Sequence, residues 1–121
     1  MAKILIVDDD VLITTLMQSL VGIDKHEPYV VNDSTEAMAA AKNFNPNLIT
    51  LDLMMPHLSG FDLCAQLRAE VQFAQTPIVI ISAKEDAESR QKAFRAGATE
   101  FINKPFNIDE FLGTLRRLTS G

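Results

Sequence analysis

The sequence predicts an α/β fold in which five strands and five helices alternate, (βα)5, to build one doubly wound parallel sheet. Three observations predict it. Five short β-rich runs, at residues 3–7, 29–31, 48–51, 78–81 and 100–102, are separated by helix-like stretches. The central runs are continuously apolar instead of alternating, the pattern of parallel strands covered on both faces. Strict alternation with right-handed crossovers then places helices on each side of the sheet.

Each element has its own signal. The first strand, KILIV, runs straight into Asp8, Asp9 and Asp10 before apolar residues resume. Leu12, Leu16 and Leu20 stand at helical spacing within 11–21. The segment Asp33-Ser-Thr-Glu36, ahead of an alanine-rich run, has the form of a capping box that opens a second helix. A third helix is expected over 58–71, with Leu63 and Leu67 on one face, and a fourth over 86–96, stopped by Gly97 as a left-handed cap. The fifth starts at Asn107 with Glu110 three residues on, and Ile108, Phe111, Leu112 and Leu115 form its apolar stripe.

At 121 residues the chain suits a single domain, 1–121 with a core of about 3–118, large enough to fold without disulfides. No apolar run approaches the roughly 18 residues of a membrane span, and MAKILIV lacks the form of a signal peptide. A cytoplasmic location without membrane attachment is the expectation. The one cysteine, Cys64, lies beside Leu63 and close to Leu67 and is expected to be a core thiol. A net charge of −5 disfavours direct nucleic-acid binding. The basic pair Arg116 and Arg117 is expected to complement a helix dipole, and His26 and His57, without a second ligand at metal spacing, to be surface residues. Residues 119–121 could begin a linker.

Ligands of doubly wound sheets bind at the carboxyl ends of the strands. Four segments deliver polar residues there: Asp8, Asp9 and Asp10 from the first strand, Asp52 from the third, Ser82 from the fourth, Asn103 and Lys104 from the fifth. Like charges about 4 Å apart repel by about 4 kcal/mol at an effective dielectric near 20, so the acids need a cation, a helix N-terminus or water. Asp10 suits a helix N-terminus. Asp8 and Asp9, taken with Asp52 and without His or Cys, suit a hard cation such as Mg²⁺. Lys104 and the Ser82 hydroxyl could hold phosphate oxygens. Together these describe a phosphoryl-transfer site. No Gly-rich nucleotide loop is present, so a carboxylate is the expected nucleophile and a P-loop nucleotide is not the expected donor.

VDDD at 7–10, LDLMMPHLSG at 51–60, ISAK at 81–84 and INKPF at 102–106 resemble, in order and spacing, the four signature segments of the receiver domain of two-component response regulators. The resemblance implies a flavodoxin-like fold with strand order 2-1-3-4-5. It implies Asp52 as the phosphoacceptor, supplied by a phosphohistidine of a sensor histidine kinase or phosphotransfer protein. Asp9 and Asp52 would bind Mg²⁺ directly, Asp8 through a water, with the backbone carbonyl of Met54 completing the protein ligands. Lys104 would pair with Asp52 and then with the phosphoryl group, and Lys104-Pro105 would be cis. Ser82 and Phe101 would be the switch residues, Phe101 standing where relatives often have Tyr and lacking its hydroxyl. Met54 and Lys84 would tune the lifetime of the acyl phosphate.

The implied output surface is the face of the fourth helix, fifth strand and fifth helix, open to a downstream protein or output domain and to a possible homodimer. The chain would not be a classified enzyme, only support its own phosphotransfer and autodephosphorylation, either as a stand-alone regulator or as a receiver excised from a longer chain. Two other readings remain open at this point. Asp8-x-Asp10 after an apolar strand mimics the nucleophile motif of haloacid-dehalogenase-like phosphatases, with Asp8 as nucleophile, although Leu12 falls where a small hydroxyl or Val belongs. A receiver acting only as a non-phosphorylated interaction module is the other.

Overall fold

A strand made of Ile, Leu and Val throughout has no face that tolerates water, so each central strand here is sandwiched between helices. The computed structural model describes residues 1–84 and 86–120. Its strands are β1 (Lys3–Val7), β2 (Glu27–Val31), β3 (Leu48–Leu51), β4 (Ile78–Ser82) and β5 (Glu100–Asn103). All pair in parallel in the order β2-β1-β3-β4-β5, as the resemblance implied. The helices are α1 (Val11–Ile23), α2 (Ala37–Phe44), α3 (Gly60–Ala69), α4 (Ala87–Arg95) and α5 (Ile108–Thr119). Among the described residues no helix is long and apolar enough to cross a membrane.

Alternate residues of each strand feed opposite cores. Ile4, Ile6, Leu48, Val79, Ile81 and Ile102 pack with Met17 and Val21 of α1 and Phe111 and Leu115 of α5. On the other face Leu5, Val7, Ile49, Leu51, Ile78 and Ile80 pack with α2, α3 and α4, Cys64 among them as the buried thiol expected. The outer strands, β2 and β5, are the less buried ones.

Several boundaries differ from the sequence reading, each for a local reason. β2 begins at Glu27, two residues early, because the Glu27 N–H donates to Ala2 O and Pro28 is accommodated on the edge of the sheet. The Asp33 carboxylate caps Thr35 N–H and Thr35 Oγ1, making a 3₁₀ turn over Ser34–Glu36, and α2 follows it; the capping box is replaced by this tighter turn. α3 starts two residues late, at Gly60 behind the Ser59 cap, and ends at Ala69, with a separate 3₁₀ turn at Val71–Phe73. Thr119 closes α5 instead of opening a linker, and Gly121 lies outside the described residues. His26 is half-buried, not a surface residue: its Nδ1 accepts from Ala2 N–H at 3.1 Å and its Nε2 lies 3.4 Å from Asp24. His57 is exposed, as expected, in a left-handed turn at φ 72°. Arg116 and Arg117 do occupy the last turn of α5, where they also pair with Asp24 and Glu100.

Two close approaches hold α3 and α4 in place. A Cβ on Gly60 would lie 2.0 Å from the carbonyl oxygen of Asp52, so only glycine lets α3 begin against that loop. Gly97, at φ +113°, ends α4 as predicted, and its carbonyl accepts from Arg68 Nε at 2.9 Å. Arg68 Nη1 also donates to Phe73 O and Thr76 O, both at 2.6 Å. Gly60→Ala is expected to lower the unfolding free energy by about 3 kcal/mol, since the clash is with backbone. Gly113→Ala, in open space inside α5, should raise it by about 0.5–1 kcal/mol. Urea denaturation of the two variants checks both signs.

Candidate functional site

The parallel register brings the C-terminal ends of β1, β3, β4 and β5 to one edge of the sheet, and the polar residues singled out in the sequence arrive there together. Asp8, Asp9 and Asp52 each offer a carboxylate oxygen within 4.8 Å of the others. Asp8 is only 3 % and Asp52 7 % exposed, whereas Asp9 faces solvent. Lys104, just past β5, sends its Nζ to Asp8 Oδ2 at 2.6 Å and to Asp52 Oδ2 at 3.4 Å. The nearer partner is thus Asp8, where the resemblance named Asp52. Lys104-Pro105 is cis.

The third acid of the run has a separate task. Asp10 Oδ1 accepts from Leu12 N–H and Ile13 N–H and caps α1. Asp8 Oδ1 accepts from Asp10 N–H at 2.9 Å, which aims the remaining Asp8 oxygen at Lys104. Asp52 Oδ1 accepts from Met54 N–H at 3.4 Å. Met54 itself is 60 % exposed, while Met55 turns into the core. Ser82 is fully buried at the end of β4; its Oγ accepts from Lys84 N–H at 3.2 Å and its carbonyl from Lys104 N–H at 2.9 Å. Phe101 on the edge strand β5 is half-buried against the core, with the Arg90 guanidinium 4.6 Å from its ring centroid.

The charges respond to this burial. Desolvation pushes the Asp8 carboxyl above its ordinary value and the nearby Asp52 charge adds to the shift, while the hydrogen bonds from Lys104 and from Asp10 N–H offset only part of it. Burial works to lower the Lys104 ammonium, but its hydrogen bond to Asp8 and the two carboxylate charges outweigh that and raise it. One ammonium is thus shared by two buried carboxylates, and the pocket has room in its electrostatics for a further cation. The donor set is oxygen only, which suits a hard divalent ion better than a soft one.

Three supporting residues went unnoticed in the sequence. Asn32 Nδ2 donates to Asp8 O at 2.9 Å and to Thr14 Oγ1 at 3.0 Å, fixing the β1 end against α1. Ser34 Oγ donates to Pro56 O at 3.0 Å, tying the loop beyond Asp52 to the start of α2. Gly60 N–H donates to Leu53 O at 3.0 Å. Each acts through a backbone carbonyl, of Asp8 or of the loop that follows Asp52, and such contacts leave no residue-type signal in a sequence.

The response regulator receiver domain family matches over residues 4–116. Over 118 residues the chain is 32% identical to the DNA-binding dual master transcriptional regulator RpaA of Synechocystis, covering 98% of this chain and 49% of that protein. Over 114 residues it is 33% identical to the DNA-binding response regulator MtrA of Mycobacterium tuberculosis, covering 94% and 49%. The structure of the Vibrio cholerae chemotaxis protein CheY4 matches with a TM-score of 0.93 at 32% identity over 98% of both chains. The chain therefore spans about half the length of the curated relatives it matches.

The raised Asp8 carboxyl makes stability depend on pH. Its proton is bound more tightly in the folded chain than in the unfolded one, so the stability it confers is full below the unfolded value and is lost as pH rises through the folded value. Asp8→Asn removes that loss. In metal-free buffer the melting temperature of the variant relative to wild type should fall as pH is lowered from 7 toward the ordinary carboxylate range. Thermal melts across that range measure it.

Proposed function

Because the chain belongs to the response regulator receiver domain family, we propose that it accepts a phosphoryl group from a phosphohistidine onto Asp52. The observation that carries this reading is the convergence of Asp8, Asp9 and Asp52 with an ammonium that touches two of them. The oxygen-only donor set fits Mg²⁺: Asp9, Asp52 and the backbone carbonyl of Met54 would hold it, with Asp8 acting through a water. When bound, the cation supplies positive charge that balances the acids and the phosphoryl oxygens.

The remaining chemistry belongs to this chain's side chains. An Asp52 oxygen attacks phosphorus in line, the new O–P bond forming as the N–P bond breaks, and the donor imidazole leaves with the electron pair of that bond. Lys104 sits within reach of Asp52 and shifts from Asp8 toward the equatorial oxygens of the transferred group, stabilising charge where it spreads. The Ser82 hydroxyl, which accepts from Lys84 N–H in this state, turns to donate to a phosphoryl oxygen. Phe101 follows by turning inward, and the change is read at the surface of α4, β5 and α5. Asp52 thus acts as a stored switch and not as a turnover catalyst.

The acyl phosphate is lost by water attack in the same pocket, an autodephosphorylation whose rate Met54 and Lys84 tune from the mouth of the site. A sensor histidine kinase or phosphotransfer protein is the donor, and a downstream protein, an output domain or a second copy is the reader. The DNA-binding described for relatives is not assigned to this acidic segment, which spans half of them. A cytoplasmic setting fits such partners.

Two measurements test the reading. Incubation with acetyl phosphate and Mg²⁺ should add one phosphoryl group to the wild type by intact mass, and none to Asp52→Asn. Labelling of that variant at Asp8 would instead support the phosphatase-type nucleophile. Mg²⁺ should raise the melting temperature of the wild type but not of Asp9→Ala; equal stabilisation of both would remove Asp9 from the cation site.

A further inference from the structure

Helix α4 is keyed into the fold in an unusual way. Of its nine residues only Ser89 and Ala93 are buried, and both are small, so apolar burial contributes little to holding it. Two cations laid on neighbouring rings add to that hold. Lys92 Nζ stands 4.4 Å from the ring centroid of Phe61 in α3, and the Arg90 guanidinium 4.6 Å from that of Phe101 in β5. The C-terminal end is fixed separately, through Gly97 O to Arg68 and Ala96 O to Cys64 Sγ. The N-terminal half reaches β5 through Arg90, which lies over Phe101 and whose Nη1 also approaches Asn103 Oδ1 at 3.5 Å. One guanidinium thus spans two β5 residues, and the second immediately precedes Lys104.

We infer that Arg90 is a positioning residue for the switch: stacked on Phe101, it holds the ring half-buried and α4 against β5, so the ring must leave the guanidinium before it turns toward Ser82. The inference rests on the phosphoacceptor reading of Asp52 and on Phe101 as the moving aromatic. Its chemistry suits a phenylalanine. Phe101 has no hydroxyl to anchor, and the ring face is the handle it offers a cation. Arg90 accordingly stabilises the resting arrangement and weakens binding of the phosphoryl group, because any ligand that requires the other arrangement must first break the stack.

The probe is beryllofluoride, a phosphoryl mimic, titrated with saturating Mg²⁺ into the whole chain and followed by amide chemical shifts. Arg90→Gln should lower the half-saturating beryllofluoride concentration about 2- to 5-fold, the scale of a partly exposed cation–π contact. Arg90→Lys should restore at least half of the wild-type value. In a Phe101→Leu background the Arg90→Gln substitution should change nothing, and the half-saturating Mg²⁺ concentration, measured alone, should be the same in every variant. An unchanged beryllofluoride midpoint in Arg90→Gln, or the same shift persisting without the Phe101 ring, overturns the inference. A wild type that takes up no beryllofluoride, or does so equally with Asp52→Asn, overturns the phosphoacceptor reading itself and the role of Arg90 with it.

Discussion

The structure turns on one electrostatic constraint: two carboxylates buried at the end of a sheet, with a single ammonium between them. Asp8 and Asp52 sit at the ends of adjacent strands because β1 and β3 pair in register, and Lys104 reaches both from the far side of β4. The parallel sheet delivers these groups from positions 8, 52 and 104 of the chain to one spot. The apolar strands exist to hold that edge rigid, and their burial offsets the cost of placing charge there. The site keeps net negative charge after Lys104 is counted, which is what the proposed cation would balance.

Local devices then protect the arrangement. The Asp10 cap starts α1 at once, so the acid run cannot drift as a loop. Asn32 and Ser34 brace the two loops through their carbonyls, and Gly60 lets α3 press directly on the Asp52 backbone. By contrast α4 is deliberately light, held by two small buried residues and two cations on rings. In the proposed switch, a rigid acceptor and a loosely keyed reader would be complementary halves, since a group that moves nothing signals nothing.

Most of the fold was legible in the sequence because continuous apolar strands separated by capped helices leave few topologies. Gly97, Asn107 and Asp10 act as the chain's punctuation marks suggested. Legibility failed where a tertiary contact overrode a local signal. The second strand was expected only over 29–31, yet an edge strand admits Pro28 and the pairing starts at Glu27. His26 read as a surface residue until the backbone turned it under Ala2. Residue types and spacing singled out Asp8, Asp9, Asp52 and Lys104, which the fold brings together, but not their pairing: that Lys104 lies closer to Asp8 than to Asp52 depends on side-chain reach across three strands. Arg90 was invisible for the same reason, since a helix arginine declares nothing about the ring beneath it.

Pro28 has a consequence beyond its place in β2. Glu27 N–H donates to Ala2 O, and Val31 O accepts from Asp8 N–H, so alternation turns the backbone of residues 27, 29 and 31 toward β1 and that of 28 and 30 outward. Residue 28 has no N–H to offer. The β2 border of the sheet therefore presents one strand amide, that of Val30, which is too few to template another chain. In a cell where many copies of such domains crowd together, that missing hydrogen keeps β2 from recruiting a foreign strand and growing a mixed sheet.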